Sequence, residues 1–213
     1  MILGIDEAGR GPVIGPLVLC GVRVSRKRQN ELAALGVRDS KTFGSGSKAR
    51  QLRSELAERI KSISSVTIRI APAKEVDLWV QKNGLNRLEQ KLALEIIEQG
   101  PRVSKAIADG ARLFGPLQSQ CKFLEALNKA DKTHPVVAAA SIVAKAKRDS
   151  LLAEIFLPLE SEFGPIRGGG YPNQSTAKFI RAFFQRYGIL PPETRKTWSW
   201  AVLKEFTNNG PVK

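Results

Sequence analysis

The chain opens with two apolar segments, residues 1–9 and 15–25, which are separated by a turn rich in glycine and proline. Both segments are short and rich in β-branched and other apolar residues, as is typical of strands. A chain that begins this way needs a sheet whose apolar face is covered by another layer. The later segments are therefore expected either to extend this sheet or to cover it.

The later segments supply both strands and helices. Alternation over residues 66–70 and an apolar run over residues 103–109 predict two more strands, whereas residues 122–128 fit either a strand or one helical turn. Apolar residues at helical spacing predict helices over residues 45–63, 85–98, 136 to about 157, 177–187 and 194–206. Strands come early and helices dominate late, so we predict an α/β fold with a mixed sheet covered by helices and a helical C-terminal region.

The net charge of +14 over 213 residues restricts the function more than any other bulk property. Folding does not require such a charge, because like charges repel one another in the compact state. A polyanionic partner accounts for it: nucleic acid is the expected one, and an acidic membrane surface is the alternative. A merely basic protein without such a partner is the simplest competing interpretation.

Two further properties predict a cytoplasmic protein that does not associate with membranes. The longest apolar runs are far shorter than the ~20 residues of a membrane-spanning helix, and the N-terminal residues lack the pattern of a signal peptide. The two cysteines, Cys20 and Cys121, form no disulfide framework and are expected to be buried in a reducing compartment. We also expect the protein to be a monomer.

Four acidic residues occupy positions where a carboxylate is poorly solvated unless it pairs or binds a cation. Asp6 and Glu7 follow the first predicted strand, Asp109 ends a later strand, and Asp131 precedes a predicted helix. Such positions can converge on one edge of a sheet. Each acid taken alone could equally be a surface group, a cap or a salt-bridge partner, and Asp131 could simply lie near a helix N-terminus.

A carboxylate cluster of this kind suits the hard divalent cations Mg²⁺ and Mn²⁺, which take oxygen ligands. Nucleases hold two such ions about 3.5–4 Å apart, so that one activates water and the other stabilises the leaving oxygen. Other chemistries are poorly supplied in this chain. His134 is the single histidine, which disfavours a histidine-based triad or a zinc cluster, and the sequence has no P-loop motif.

Three further features could contact a nucleic acid. Gly9-Arg10-Gly11 allows a tight turn whose amides could contact a phosphate or a sugar hydroxyl, although an ordinary hairpin turn has the same composition. Lys41 could contact a phosphate or be a simple loop lysine. Tyr171, which follows three glycines, could stack on a base or a sugar, or it could cover the edge of the core.

Taken together, these segments resemble the type 2 ribonuclease H family, ribonuclease HII. The opening segment, residues 4–18, is similar to the family's first signature almost throughout. Asp39-Ser40-Lys41 falls where the family has the same tripeptide, and Asp109 follows an apolar strand as the third family carboxylate does. The remaining similarity lies in residues 128–131, 134–145 and 170–172.

The resemblance implies a ribonuclease-H-like fold with a five-stranded mixed sheet flanked by helices. We expect a catalytic domain over residues 1–187 and a C-terminal helical segment and tail over residues 188–213. The implied activity is that of an endoribonuclease that hydrolyses the RNA strand of RNA–DNA hybrids and cuts on the 5′ side of ribonucleotides embedded in duplex DNA. Two divalent ions, Mg²⁺ or Mn²⁺, would serve as cofactors, and the products would carry 3′-hydroxyl and 5′-phosphate ends.

The resemblance also assigns roles to residues at matching positions. The catalytic residues and metal ligands would be the four carboxylates Asp6, Glu7, Asp109 and Asp131. The substrate-binding residues would be Gly9, Arg10 and Gly11 at the ribose 2′-hydroxyl, Tyr171 at the junction sugar and Lys41 at a phosphate. Only RNA carries that hydroxyl, so a site built to bond it can reject DNA. The role of Asn128, where many relatives carry histidine, is left open.

Two other functions remain open at this point. Another nuclease or resolvase of the ribonuclease-H fold, acting on different DNA structures, would have the same acids. A basic nucleic-acid-binding protein that has lost catalysis would share the charge, although the presence of all four acids argues against it.

Overall fold

The computed structural model describes residues 1–37, 44 and 46–207. Lys41, the predicted phosphate contact, lies outside these residues, and its role stays a prediction.

Five strands form one mixed sheet in the order β3-β2-β1-β4-β5. Strand β1 runs antiparallel to β2 and parallel to β4, and β4 runs parallel to β5. The strands are β1 (Ile2–Ala8), β2 (Leu17–Val24), β3 (Ser65–Ala71), β4 (Lys105–Asp109) and β5 (Leu124–Leu127). The predicted five-stranded mixed sheet is therefore confirmed, and the ambiguous segment 122–128 contains a strand.

The helices agree with the predictions in the long amphipathic segments and differ in the short ones. They are α1 (Gln29–Ala34), α2 (Ser47–Ile63), α3 (Ala73–Val80), α4 (Leu85–Glu98), α5 (Ala111–Phe114), α6 (Ala130–Thr133), α7 (Pro135–Phe163), α8 (Gln174–Tyr187) and α9 (Ala201–Thr207), with a short 3-10 helix at Gly115–Ser119. The last helix begins at Ala201, so the prediction that it starts at Thr194 was wrong. Thr194 instead forms an isolated antiparallel β-bridge with Ile14, and residues 195–200 form turns and irregular backbone.

Contacts between residues divide the chain into two compact units. The first comprises residues 1–8, 18–70 and 85–147, and the second comprises residues 9–17, 71–84 and 148–213, in each case as far as the structure describes them. The first unit contains the sheet and the second contains α3, α8 and α9. The domain boundary expected near residue 187 stays a prediction.

In the first unit, the start of α7 packs directly on β1. A side chain at Gly4 would place its Cβ only 2.4 Å from the carbonyl carbon of Val136, so only glycine fits at this contact. The alanine-rich run that follows in α7 is buried. Small side chains in both elements thus let the helix lie close to the sheet.

The second unit has its own hydrophobic core, built around the later part of α7 and the inner face of α8. Phe163, in the last turn of α7, lies 5.7 Å from the ring of Phe179 and 5.5 Å from that of Phe183. This packing explains why α7 continues past Pro158, whose ring would otherwise favour an earlier end to the helix.

Across the described residues, none of the helices combines the length and apolar character that crossing a bilayer requires. Cys20 and Cys121 are buried and not joined by a disulfide, as predicted.

Candidate active site

The candidate carboxylates begin inside β1, since Asp6 and Glu7 lie within this strand and not after it, where the sequence predicted them. Asp6 is only 6% exposed, whereas Glu7 beside it is partly buried. The backbone amide of Glu7 donates a hydrogen bond to Oδ1 of Asp6 at 2.8 Å. The pair is therefore not a solvated surface dipeptide, because its first member is an ionisable group inside the protein.

The pKa of Asp6 is raised from its ordinary value of 3.8 to about 8. Burial is the largest cause, because a desolvated carboxylate is disfavoured relative to its neutral acid. The nearby charge of Glu7 raises the pKa further, and that of Asp109 adds a smaller increase. The three carboxyl groups thus lie within electrostatic reach of one another, and a cation among them would favour their ionised forms.

Ser141 of α7 opposes this shift and Lys145 contacts Ser141, and neither residue was assigned a role from the sequence. Ser141 is buried and hydrogen-bonds the carboxyl of Asp6, which lowers the pKa of Asp6. Nζ of Lys145, one turn further along α7, donates to Oγ of Ser141 at 2.9 Å. Lys145 therefore supports the buried carboxyl through a hydroxyl relay rather than by direct pairing.

Asp109 lies at the same edge of the sheet because β1 and β4 are adjacent and parallel. Ile5 pairs with Ala108, and each immediately precedes one of the acids, Asp6 and Asp109. Parallel strands end together at one edge, so the predicted convergence of these two acids is observed.

Asp131 follows β5 on the short helix α6. The backbone amide of Ala130 donates to Oδ1 of Asp109 at 3.0 Å, which ties the start of α6 to the end of β4. Lys129 makes the required turn with a positive φ of 58°. Asp131 is buried, with 8% of its surface exposed, and directly follows Ala130, the residue that hydrogen-bonds Asp109.

Asn128, whose role the sequence left open, has a structural contact here. Its Oδ1 accepts a hydrogen bond from the backbone amide of Ala111 at 3.0 Å. It thereby satisfies an amide at the start of α5, directly after Asp109-Gly110.

These side chains match a divalent cation in donor chemistry and in their position on the sheet. Carboxylate oxygens are the ligands that Mg²⁺ and Mn²⁺ prefer, and the raised pKa of buried Asp6 marks a place where positive charge is needed. Within the described ranges, however, no three acidic, histidine or cysteine side chains are grouped closely enough to hold an ion as they stand. Binding of an ion therefore requires these side chains to shift, and the ligand assignment stays a prediction.

The predicted substrate-binding turn, residues 9–11, belongs to the second unit and follows β1 directly in the chain. Gly9 has a φ of +91°, and a Cβ there would lie 2.5 Å from the carbonyl oxygen of Pro16. Both the conformation and the space require glycine. Gly11 is exposed, and its Cα faces the ring of Tyr171, since a Cβ there would lie 3.7 Å from Tyr171 Cε1.

Tyr171 is held beside this turn by backbone and guanidinium contacts. The carbonyl of Gly170 accepts hydrogen bonds from the amides of Val13 at 2.7 Å and Ile14 at 3.1 Å. Arg148, which is buried, donates to the carbonyl of Gly169 at 3.0 Å and lies 5.5 Å from the centre of the Tyr171 ring. The ring is 47% exposed, so it is fixed in place yet open to a ligand.

Three residues that organise this turn were missed by the sequence reasoning: Arg148, Arg195 and Trp198. Arg148 lies just after residues 134–145, which resemble the ribonuclease HII family, and is not part of that segment. Arg195 and Trp198 lie in the stretch that was predicted to be helical. Two tryptophans within three residues, Trp198 and Trp200, are the one local signal that the stretch has a fixed structure.

The fold and the acidic edge together define a class of protein, the metal-dependent nucleases that hydrolyse phosphodiester bonds. A model of the family described as Ribonuclease HII matches residues 3–201. The chain belongs to the ribonuclease HII family.

Individual relatives agree with this assignment. The chain is 35% identical to a ribonuclease HII of Methanocella arvoryzae over 206 residues, covering 92% of this chain and 88% of the relative. Its fold is similar to that of ribonuclease H2 from Pyrococcus horikoshii, with a TM-score of 0.82, 29% identity and coverage of 98% and 99% of the two chains. It is also similar to the ribonuclease HII solved in complex with PCNA from Archaeoglobus fulgidus, with a TM-score of 0.76, 33% identity and coverage of 92% of each chain.

Proposed function

We propose that this protein cuts on the 5′ side of ribonucleotides embedded in duplex DNA and hydrolyses the RNA strand of RNA–DNA hybrids, leaving 3′-hydroxyl and 5′-phosphate ends. The observation that carries the proposal is the buried carboxyl of Asp6, whose pKa is raised to about 8 by burial and by the nearby charges of Glu7 and Asp109. Hydrolysis of a phosphodiester depends on neutralising negative charge. A bound cation would supply that neutralisation and would also favour the ionised form of the Asp6 carboxyl.

We further propose that Asp6, Glu7, Asp109 and Asp131 hold two divalent ions, Mg²⁺ or Mn²⁺. Ions bound there would neutralise charge on the attacking water and on the leaving oxygen. The chain's own contribution is to orient these carboxylates. The amide of Glu7, the hydroxyl of Ser141 and the amide of Ala130 each hydrogen-bond one of them.

Recognition of the ribonucleotide is proposed to reside in Gly9, Arg10, Gly11 and Tyr171. The supporting observations are the exposed Gly11, the fixed but accessible Tyr171 ring and the contact between them. Lys41, which lies outside the described residues, is proposed to contact a phosphate. A hydroxyl that pairs with a prepared amide provides strong selection for RNA, because a DNA sugar leaves that amide unpaired.

The test is cleavage of an end-labelled duplex that carries one ribonucleotide, compared with the same duplex made only of DNA. We expect a single cut 5′ of the ribonucleotide with Mg²⁺ or Mn²⁺, none with chelator, and none in the all-DNA duplex. Asp6→Asn and Asp109→Asn are expected to lower the rate at least about 100-fold, the scale on which losing charge stabilisation acts.

Glu98→Gln, a change at an exposed carboxylate outside this edge, is the matched control and should cut normally. Tight binding without cutting would identify a binding protein. Equal cutting of the all-DNA duplex would identify a different nuclease or resolvase of the same fold.

We also propose that the protein acts as a monomer in the cytoplasm. The buried, unpaired Cys20 and Cys121 suit a reducing compartment. Light scattering on the purified protein tests the oligomeric state.

A further inference from the structure

We infer that Arg195 and Trp198 are positioning residues for sugar selection, because they fix the direction of the amides in the turn at residues 9–11. This inference rests on the proposed function, in which that turn reads the ribose 2′-hydroxyl. All residues involved belong to the second unit.

Arg195 binds the turn through its whole guanidinium group. Nη2 donates to the carbonyl of Gly9 at 2.6 Å, Nη1 to that of Arg10 at 3.1 Å, and Nε to that of Gly15 at 3.0 Å. The backbone amide of Arg195 also donates to the carbonyl of Val13 at 2.7 Å. One residue near the end of the chain thus holds four carbonyls of a loop near its beginning.

Trp198 binds the carbonyl of Gly11, which follows the two turn carbonyls that Arg195 holds. Its Nε1 donates to the carbonyl of Gly11 at 3.0 Å, and its ring lies 4.8 Å from Cζ of Arg195. The ring makes a cation–π contact with the guanidinium, while the indole N–H donates to a separate acceptor. Three consecutive carbonyls, at residues 9, 10 and 11, are therefore fixed by these two side chains.

Holding the carbonyls sets the direction of the amides. A peptide unit is planar and trans, so its N–H points opposite to its C=O. With the carbonyls of Gly9 and Arg10 drawn to the guanidinium, the amides of Arg10 and Gly11 point away from it. The carbonyl of Gly11 is in the peptide bond to Pro12, and proline has no N–H. The hydrogen bond to this carbonyl therefore turns no amide toward the protein interior.

Within the part of the chain that the structure describes, the amide of Gly11 donates to no other group, and Gly11 is exposed. An exposed, pre-oriented N–H beside an aromatic ring fits an acceptor oxygen on a sugar that stacks against Tyr171. The buried positive charge of Arg195 further favours an oxygen that carries negative partial charge. Burial lowers the pKa of Arg195 to about 10, so the group stays charged at neutral pH.

The cost of the arrangement also indicates a role beyond packing. Arg195 is fully buried, and a buried guanidinium loses its hydration. An apolar side chain would fill the space without that cost but could not hold the carbonyls. The segment is itself anchored, since Asp77 accepts hydrogen bonds from the amides of Lys196 at 2.8 Å and Thr197 at 3.1 Å.

The test compares Trp198→Phe, Arg195→Lys and the control Arg186→Ala, which removes an exposed arginine that pairs with Glu162 in the same unit. The concentration of folded protein in each preparation is first determined by titration with an all-DNA duplex. We then measure kcat and KM on the duplex with one ribonucleotide, and hydrogen exchange of the amides in residues 9–16.

Trp198→Phe keeps the ring over Arg195 but removes the donor, so we expect kcat/KM to fall about 3- to 10-fold, as for one lost hydrogen bond. Arg195→Lys should cause a loss of at least about 10-fold, because a lysine cannot reach three carbonyls in a fork. Affinity for the all-DNA duplex should stay within twofold of wild type, and the turn amides should exchange faster in both variants.

Normal kcat/KM and unchanged exchange in Trp198→Phe would overturn the inference, even if Arg195→Lys fails to fold. An equal loss of all-DNA binding and of cleavage would also overturn it, because that indicates general damage to the protein. A wild-type protein that does not distinguish the ribonucleotide duplex from all-DNA would instead overturn the proposed function itself.

Discussion

Asp6, which we propose as a metal ligand, also carries a cost to stability at neutral pH. Its pKa rises from 3.8 to about 8 on folding, chiefly because the carboxyl is buried and then because Glu7 lies beside it. Below pH 3.8 the group is protonated in both states and has no effect. As the pH rises toward 8, the unfolded state loses this proton first, so stability falls across that window.

Asp6→Asn is therefore expected to stabilise the protein in chelator at pH 8 and to have no such effect near pH 4. A gain of at least about 2 °C in Tm is expected, the shift that 1 kcal/mol produces in a protein of this size. Adding Mg²⁺ or Mn²⁺ should raise the Tm of the wild type but not that of the variant. Glu98→Gln serves as the exposed control, and a lower Tm for Asp6→Asn at pH 8 would contradict the expectation.

At the scale of elements, a close contact joins β1, which carries Asp6, to α7, which carries its partner Ser141. A Cβ at Gly4 would lie 2.4 Å from backbone atoms of Val136, and backbone cannot yield as a flexible side chain can. Gly4→Ala should therefore separate the two elements and destabilise the protein by about 1–3 kcal/mol, the usual cost of overpacking.

The matched control is Gly115→Ala, because its Cβ would meet only Gln118 Oε1, at 3.9 Å. Thermal unfolding of the two variants checks the prediction. Equal Tm values for the two alanine variants would show that the helix can move aside without cost.

The same scale shows what could be predicted from the sequence. The amphipathic helices α2 and α4 and the strands β1 and β2 follow from local patterns, and so does the position of Asp109 at the end of β4. Short helices such as α1 and α3 were missed, since six to eight residues carry too little periodicity to stand out.

The anchors of the turn could not be predicted for a different reason. Arg195 contacts Gly9 across 186 positions of the chain, and no local pattern records such a partner. An arginine in a polar, proline-rich neighbourhood normally indicates the surface. Only the fold shows that it is buried.

For the whole molecule, the net charge of +14 predicts how binding responds to salt. Each phosphate that a basic side chain neutralises releases a counterion, so affinity falls steeply as salt rises. We expect affinity for an all-DNA duplex to drop at least about 10-fold between 50 and 200 mM salt, as for two or more neutralised phosphates. Fluorescence anisotropy measures it, and an affinity that does not change over this range would exclude the expected electrostatic interface.

The clamp made by Arg195 and Trp198 also bears on how the protein is made. The turn that it holds, at residues 9–11, is synthesised well before the clamp at residues 195–198. The acids at the sheet edge all precede residue 132, so they can be brought together earlier during translation. A chain that ended before residue 195 would therefore lose the anchors of the turn that we propose to contact the sugar, while it kept the four acids that we propose as metal ligands. If both proposals hold, such a chain would retain the acids for cutting without the device for selecting a ribonucleotide.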